Sequence, residues 1–284
     1  MVSTEKPAIT VRKMSFEGSL ADLPKHFAGD NLITSHFVAA LSAVFPEGEE
    51  FFVRSVRHYR NQITDPILQK EINQFMGQEM VHGREHRVFN DRLDELGYPM
   101  KRIDKSVKDG LARADVKNTP EVNLAITAAL EHFTSCIGKL MLDGDSLSSL
   151  IEHEEVRAMM LWHALEETEH KAVAFDVYRA VGGSEKVRRK VMNKITYGFI
   201  SSTMIRVVMS MMRDRAAYNP VTVVRSLRAM AKAPLFRRSV WRDLRDYNRP
   251  DFHPNDHDTT ELLERSREAL FGVDGSLNDK LAVA

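Results

Sequence analysis

Cysteine is all but missing from this chain: one residue, Cys136, among 284 excludes an intrachain disulfide framework and any site built from several thiolates. An excess of one charge is missing too. Forty basic side chains balance forty acidic ones, so no bulk attraction draws the chain to nucleic acid. The opening residues MVSTEKPAITVRKM contain no apolar run of the kind that directs secretion, which sets the expectation of a cytoplasmic protein. The most apolar run, Tyr197 to Met212, is 16 residues long and contains Arg206, short of the roughly 20 apolar residues that a spanning helix needs. No glycine-rich phosphate loop, no Ser-His-Asp or Cys-His order and no His-Glu-x-x-His protease helix can be found.

What remains is apolar and helical. With 43 % hydrophobic residues the chain can build a sizeable core, as one large domain or a domain with an extension. Its organising stretch is Met159 to Tyr178, where His163, Glu167 and His170 recur at i, i+4 and i+7 and so share one helix face. Val156, Met160, Ala174, Val177 and Val181 continue that spacing, so the three ionisable groups point into the interior. Burying a carboxylate with two imidazoles is costly unless a cation compensates the charge.

A second helical pattern carries Glu79 and His82 in a stripe of Leu68, Ile72, Phe75, His86, Phe89 and Leu93. Asp65-Pro66 starts it and Gly97 with Pro99 ends it. The preceding segment opens at Asp30, is interrupted at Phe45-Pro46-Glu47-Gly48 and resumes with Glu49 in phase with Phe52, Val56, Tyr59 and Ile63, whereas Glu50 shares a face with Arg54 and Arg57. Glu49 is thus the inward acid of that cluster; by itself the cluster also fits an acidic helix start stabilised by the helix dipole. Thr119-Pro120 starts a further helix to Leu142, closed by Asp143-Gly144-Asp145, whose stripe of Leu124, Ala128, Ser135, Gly138 and Leu142 contains Glu131. The expected architecture is all-α: an arm at 1–29, a four-helix bundle at 30–183 with a dinuclear metal site, and a basic helical extension at 184–284 packed on it. Residues 8–16 are read as a short extended segment, 100–118 as a connection with a short surface helix, and 150–181 as one continuous fourth helix.

Two Glu-x-x-His helices and two helices with one inward Glu each form the ligand plan of carboxylate-bridged dinuclear bundles. Glu49, Glu79, Glu131 and Glu167 oppose about four positive charges from two divalent ions, with Glu79 and Glu167 as bridges. Oxygen and imidazole donors suit two iron ions, or a manganese-iron or zinc alternative, and a reduced iron pair can bind O2. His163 is a third imidazole beyond the minimal plan, and His86 either supports a ligand, meets substrate or is a satisfied core histidine. Glu166 and Glu169 read either as a solvated edge or as hydrogen-bonding supports, Cys136 as a small core residue, and the histidines of 247–257 as surface groups.

The array His163-x-x-x-Glu167-x-x-His170 with Glu79, His82, Glu49 and Glu131 resembles the ligand set of the p-aminobenzoate N-oxygenase group of di-iron proteins, which implies a ferritin-like bundle and O2-dependent oxidation of a small organic substrate. Over most of its length the chain is similar to a bacterial family of predicted metal-dependent hydrolases, through Phe45-Pro-Glu-Gly-Glu-Glu-Phe-Phe52, Gln78-Glu-Met-Val-His-Gly-Arg-Glu-His86, Trp162-His-Ala-Leu-Glu-Glu-Thr-Glu-His-Lys171 and Phe252-His-Pro254. That resemblance implies hydrolysis with zinc or manganese; ferritin-type iron binding without an organic substrate is the non-enzymatic alternative. The apolar run Tyr197 to Met212 suggests a helix packed on the bundle or a homodimer contact through the C-terminal helices, ahead of a contact with a membrane surface.

Overall fold

The computed structural model describes residues 8–29, 31–143 and 147–282, so the cap expected at Asp30 and the closing Gly144-Asp145 lie outside the described residues. The order is α1 (Leu32–Ser42), α2 (Phe45–Tyr59), α3 (Pro66–Glu95), α4 (Met100–Lys117), α5 (Pro120–Leu142), α6 (Glu154–Glu169), α7 (Val173–Ala180), α8 (Glu185–Met211), α9 (Pro220–Ala231), α10 (Arg238–Asp246) and α11 (Thr260–Phe271). Among the described residues no strand forms; one isolated antiparallel bridge joins Met14 to Leu281.

Local chemistry explains the helix starts. Asn31, Asp65 and Thr119 accept hydrogen bonds from the backbone N–H of Thr34, Ile67 and Val122, and Pro66 and Pro120 occupy first-turn positions where no donor is needed. The expected interruption is a fresh start: α1 ends at Ser42 and Phe45 to Gly48 form the first turn of α2, with Pro46 tolerated there for the same reason. Residues 100–117 form an 18-residue helix instead of a short one; Ile103 and Val107 bury its inner face although Gly110 sits inside it.

The expected continuous helix over 150–181 breaks at His170. No glycine or proline marks the break. Instead the buried Lys171 ammonium reaches the His257 carbonyl at 2.6 Å and Thr259 Oγ1 at 2.9 Å, and Val173 N–H bonds to the His170 carbonyl in a tighter turn. Burial lowers the Lys171 pKa to about 8, against the opposing field of Asp258.

Helices α2 and α3 pair, α5 and α6 pair, and α2 meets α5 while α3 meets α7, so four helical rods enclose one interior. Gly138 makes the α5–α6 approach possible: a Cβ there would lie 2.9 Å from the Ala164 carbonyl oxygen, a backbone atom that cannot swing away. Gly138→Val is therefore expected to cost about 1–3 kcal/mol through overpacking, read from urea denaturation midpoints; an unchanged midpoint would contradict the close approach.

Residues 8–29 make only the single bridge at Met14 instead of an extended run, yet they bury Ile9, Met14, Phe16, Leu20, Leu23 and Phe27. Helix α8 packs on α5 and α1 and leaves Tyr197, Ile205, Val208 and Met209 exposed. No helix among the described residues is long and apolar enough to cross a membrane. The 247–257 segment is less superficial than expected: Tyr247 and Phe252 are core residues, and His253 and His257 are part-buried against Asp176 (2.8 Å) and Asp246 (3.3 Å).

Candidate metal centre

All seven donors expected from the sequence converge. Helix α2 supplies Glu49, α3 supplies Glu79 and His82, α5 supplies Glu131, and α6 with its first residue beyond supplies His163, Glu167 and His170; each is buried. The ligand atoms of Glu49, His82 and His163 lie within 4.8 Å of one another, as do those of Glu79, Glu167 and His170. Glu131 Oε2 joins the second group, 3.1 Å from His170 Nε2. Glu167 faces both: its Oε1 is 3.0 Å from His163 Nε2 and 3.6 Å from His82 Nδ1, while its Oε2 is 3.7 Å from His170 Nε2. Glu79 Oε1 likewise stands 3.2 Å from His170 Nε2 and 3.9 Å from His82 Nδ1. Gly83 clears the approach of Glu49, whose Oε2 would be 3.2 Å from a Cβ there.

The outer nitrogens of the three imidazoles are each held by a partner. Asn90 Nδ2 donates to the Ser42 carbonyl, so Asn90 Oδ1 is the acceptor for the Ser42 hydroxyl at 2.7 Å. Ser42 Oγ must then accept from His86 Nδ1 at 2.9 Å, which leaves His86 Nε2 to accept from His163 Nδ1 at 2.6 Å. His163 Nε2 consequently faces Glu167 Oε1 at 3.0 Å and Glu49 Oε1 at 3.9 Å. His170 Nδ1 donates to Gln78 Oε1 at 2.8 Å, since the Gln78 amide nitrogen is committed to the Thr10 carbonyl and Glu169. His82 Nε2 donates to Glu166 Oε2 at 3.0 Å. All three imidazoles thus turn their inner nitrogen to the carboxylates, and each outer N–H is held by a partner, the arrangement that orients metal-bound histidines. Burial opposes a charge on His170, but Glu131 and Glu167 raise its pKa well above the usual histidine range, so a bound cation would take the place of its inner proton.

These inner atoms have little else to bond. Both oxygens of Glu49, Glu79 and Glu131, Glu167 Oε2, His82 Nδ1 and His170 Nε2 are buried without a hydrogen bond. Burial, then repulsion from Glu167 for Glu49 and from Glu131 for Glu79, pushes these two carboxyls well above their ordinary range. Burial and Glu167 raise Glu131 to about 7. Burial opposes ionisation of Glu167 as well, but the His170 charge and the His163 hydrogen bond hold its carboxyl well below normal. Burial and the neighbouring imidazole of His163 keep His82 and His86 well below the usual histidine range. Orphaned acceptors and mutually repelling acids in one dry volume fit a cation-binding cage.

The surroundings contain the residues that sequence reading missed. Arg12 of the N-terminal segment pairs with Glu166 at 3.0 Å and Glu169 at 2.9 Å, and Arg267 of α11 adds 2.7 Å to Glu169. Glu166 and Glu169 are therefore buried supports and not a solvated edge, and Glu166 is raised to about 7 by burial even against Arg12. Gln78, directly before Glu79 and one turn before His82, opens the Gln78-Glu-Met-Val-His-Gly-Arg-Glu-His86 stretch, but its hold on His170 was not read from the sequence. Cys136 is a core residue whose thiol burial pushes up to about 12, outside nucleophile chemistry. His86→Leu should leave the fold intact while removing the acceptor for His163 Nδ1–H; a 10–100-fold loss of metal affinity by chelator competition is expected, and none would mean that His86 only fills space.

An apolar cavity opens onto this centre. His163 and Glu167 form part of its wall, and the rest comes from residues such as Phe37, Leu41, Ile137, Leu150 and Met160.

Two comparisons find nothing: no curated protein and no solved structure matches the chain. A family model described as "Predicted metal-dependent hydrolase" matches residues 10–258. All seven converging donors fall within that span, as do Arg12, His86 and Phe252-His-Pro254.

Proposed function

We propose, from the premise that the chain belongs to the predicted metal-dependent hydrolase family, that it is a metalloenzyme whose ferritin-like four-helix core binds two iron ions and uses O2 to oxidise a small organic substrate. The observation that carries the metal reading is three imidazoles locked through their outer nitrogens, with their inner nitrogens aimed at buried carboxylates most of whose oxygens lack a hydrogen bond. Glu49, His82 and His163 would hold one ion, His170 and Glu131 the other, with Glu79 and Glu167 shared. Mixed carboxylate and imidazole donors without thiolate suit iron or manganese. When bound, a reduced pair supplies the electrons that O2 chemistry requires.

Two features support oxidation. Four carboxylates nearly neutralise two divalent ions, which favours higher oxidation states and weakens the Lewis acidity that lowers the pKa of bound water. The adjoining cavity wall offers no ionisable side chain besides His163 and Glu167 to protonate a leaving group. The family's description favours the second reading, hydrolysis with zinc or manganese, and supports it better than it supports oxygen chemistry.

Metal analysis of protein expressed with iron should give close to two ions per chain, and anaerobic Fe(II) loading followed by air should consume O2 with a change in the visible spectrum. Well-folded protein that takes up no iron would sink the proposal. Ester or phosphoester turnover that persists without O2 would transfer the assignment to hydrolysis, and iron oxidation without organic product would transfer it to iron storage. His163→Ala is expected to keep the fold while lowering occupancy at one position and altering the spectrum of the loaded protein. An unchanged spectrum with a lowered melting temperature would make His163 a core residue.

A further inference from the structure

The cavity beside His163 and Glu167 does not end in the bundle. A second cavity shares Phe37, Leu41, Ile137, Phe199, Met230 and Leu235 with it, so the two form one passage between α1, α5, α8 and α9. The outer part is walled by apolar side chains with Thr203 and Cys136, and no charged residue lines it. It reaches the surface at Met204 and Phe236, which are 43 % and 59 % exposed. A polar substrate would lose its hydration along this passage with nothing in return, whereas an aliphatic chain gains free energy at every carbon buried.

The rim is basic. Arg237 and Arg238 follow Phe236 directly, both are exposed, and neither makes an ion pair among the described residues; Arg242 follows the lining residue Trp241. We propose that the passage binds a single long aliphatic chain bearing an anionic head group, a fatty acid in its simplest form, with the chain directed to His163 and Glu167 and the head at the Arg237–Arg238 rim. This names the substrate class of the centre assigned above and rests on that reading for the reactive end of the passage; the binding itself does not require it.

The test uses a dansyl-labelled undecanoic acid as fluorescent probe on the full chain, displaced by saturated fatty acids of rising length and by the matching n-alcohols. Affinity should rise about fourfold per added methylene until the passage is filled. Alcohols should bind several-fold more weakly than acids, and the double variant Arg237→Glu/Arg238→Glu should weaken acids while leaving alcohols unchanged. Leu235→Trp, at the residue shared by both cavities, should weaken binding at least tenfold with unchanged metal content and melting temperature; if it does not fold, Met230→Trp serves the same purpose. No probe binding, an affinity indifferent to chain length, or neck variants that bind as the wild type does would overturn the chain site, and equal binding of acids and alcohols would overturn the anionic head. Metal content is measured in parallel. Metal uptake without chain binding refutes this inference and leaves the metal reading standing; chain binding by protein that takes up no metal does the reverse.

Discussion

Glu167→Ala is expected to abolish the metal pair, with affinity falling at least about a hundredfold, beyond the 10–100-fold loss typical when a supporting partner is altered. Its two oxygens face the two halves of the cage, 3.0 Å from His163 Nε2 and 3.7 Å from His170 Nε2. Its removal deprives both halves of a donor and leaves three carboxylates against about four positive charges in a water-poor interior. The protein should still fold, because the carboxylate's hydrogen bond to His163 lies within α6 and its approach to His82 of α3 is longer, at 3.6 Å. Metal analysis and competition with a chromogenic chelator read the effect. Glu167→Gln separates charge from shape: if the amide restores metal content, the carboxylate charge is not what the site needs. Wild-type metal content in Glu167→Ala would refute the bridging placement.

Arg12→Met should destabilise the chain by about 3–5 kcal/mol, the cost of leaving a buried ion without its partner. Arg12 touches both Glu166 and Glu169, whose side chains are fully buried. Glu169 would retain Arg267, but Glu166 would keep only the imidazole N–H of His82. The most accessible escape for Glu166 is to take up a proton, and a neutral carboxyl is a poorer acceptor for His82 Nε2–H. Metal affinity should therefore fall along with stability, and urea denaturation combined with chelator competition would detect the two losses together. Arg12→Lys should recover only part of each, since one ammonium cannot reproduce the forked contact from Nη1 and Nη2. A variant as stable as the wild type would mean that the acids are already neutral.

The legible part of the site was the part written within single helices. Glu79 and His82, or His163, Glu167 and His170, announce themselves because helical spacing places them on a stripe that is otherwise apolar. Glu49 could be separated from Glu50 by phase alone, and the structure buries the first and exposes the second. Arg12 could not be found this way: its partners lie 154 and 157 positions along the chain, and the segment that carries it has no period. The break after His170 had no local marker either, because it follows a contact between Lys171 and residues 257 and 259. Helix α4 was underestimated since its charged surface and Gly110 conceal a narrow buried face at Ile103 and Val107. The apolar passage depends on how α1, α5, α8 and α9 pack, which periodicity within each of them does not encode.

The closure of the centre by both flanks of the chain bears on the order of events during synthesis. Arg12 emerges from the ribosome before its partners, for Glu166 and Glu169 are made more than a hundred and fifty residues later, Arg267 later still, and Met14 pairs with Leu281 near the last residues described. Loop closure over such separations is slow compared with helix formation, so the four helical rods can associate before their outer carboxylates are neutralised. Metal capture before that closure would meet a cage whose His82 is not yet fixed through a neutralised Glu166. A chain arrested after residue 250 should accordingly retain less metal than one that extends through Arg267 and Leu281.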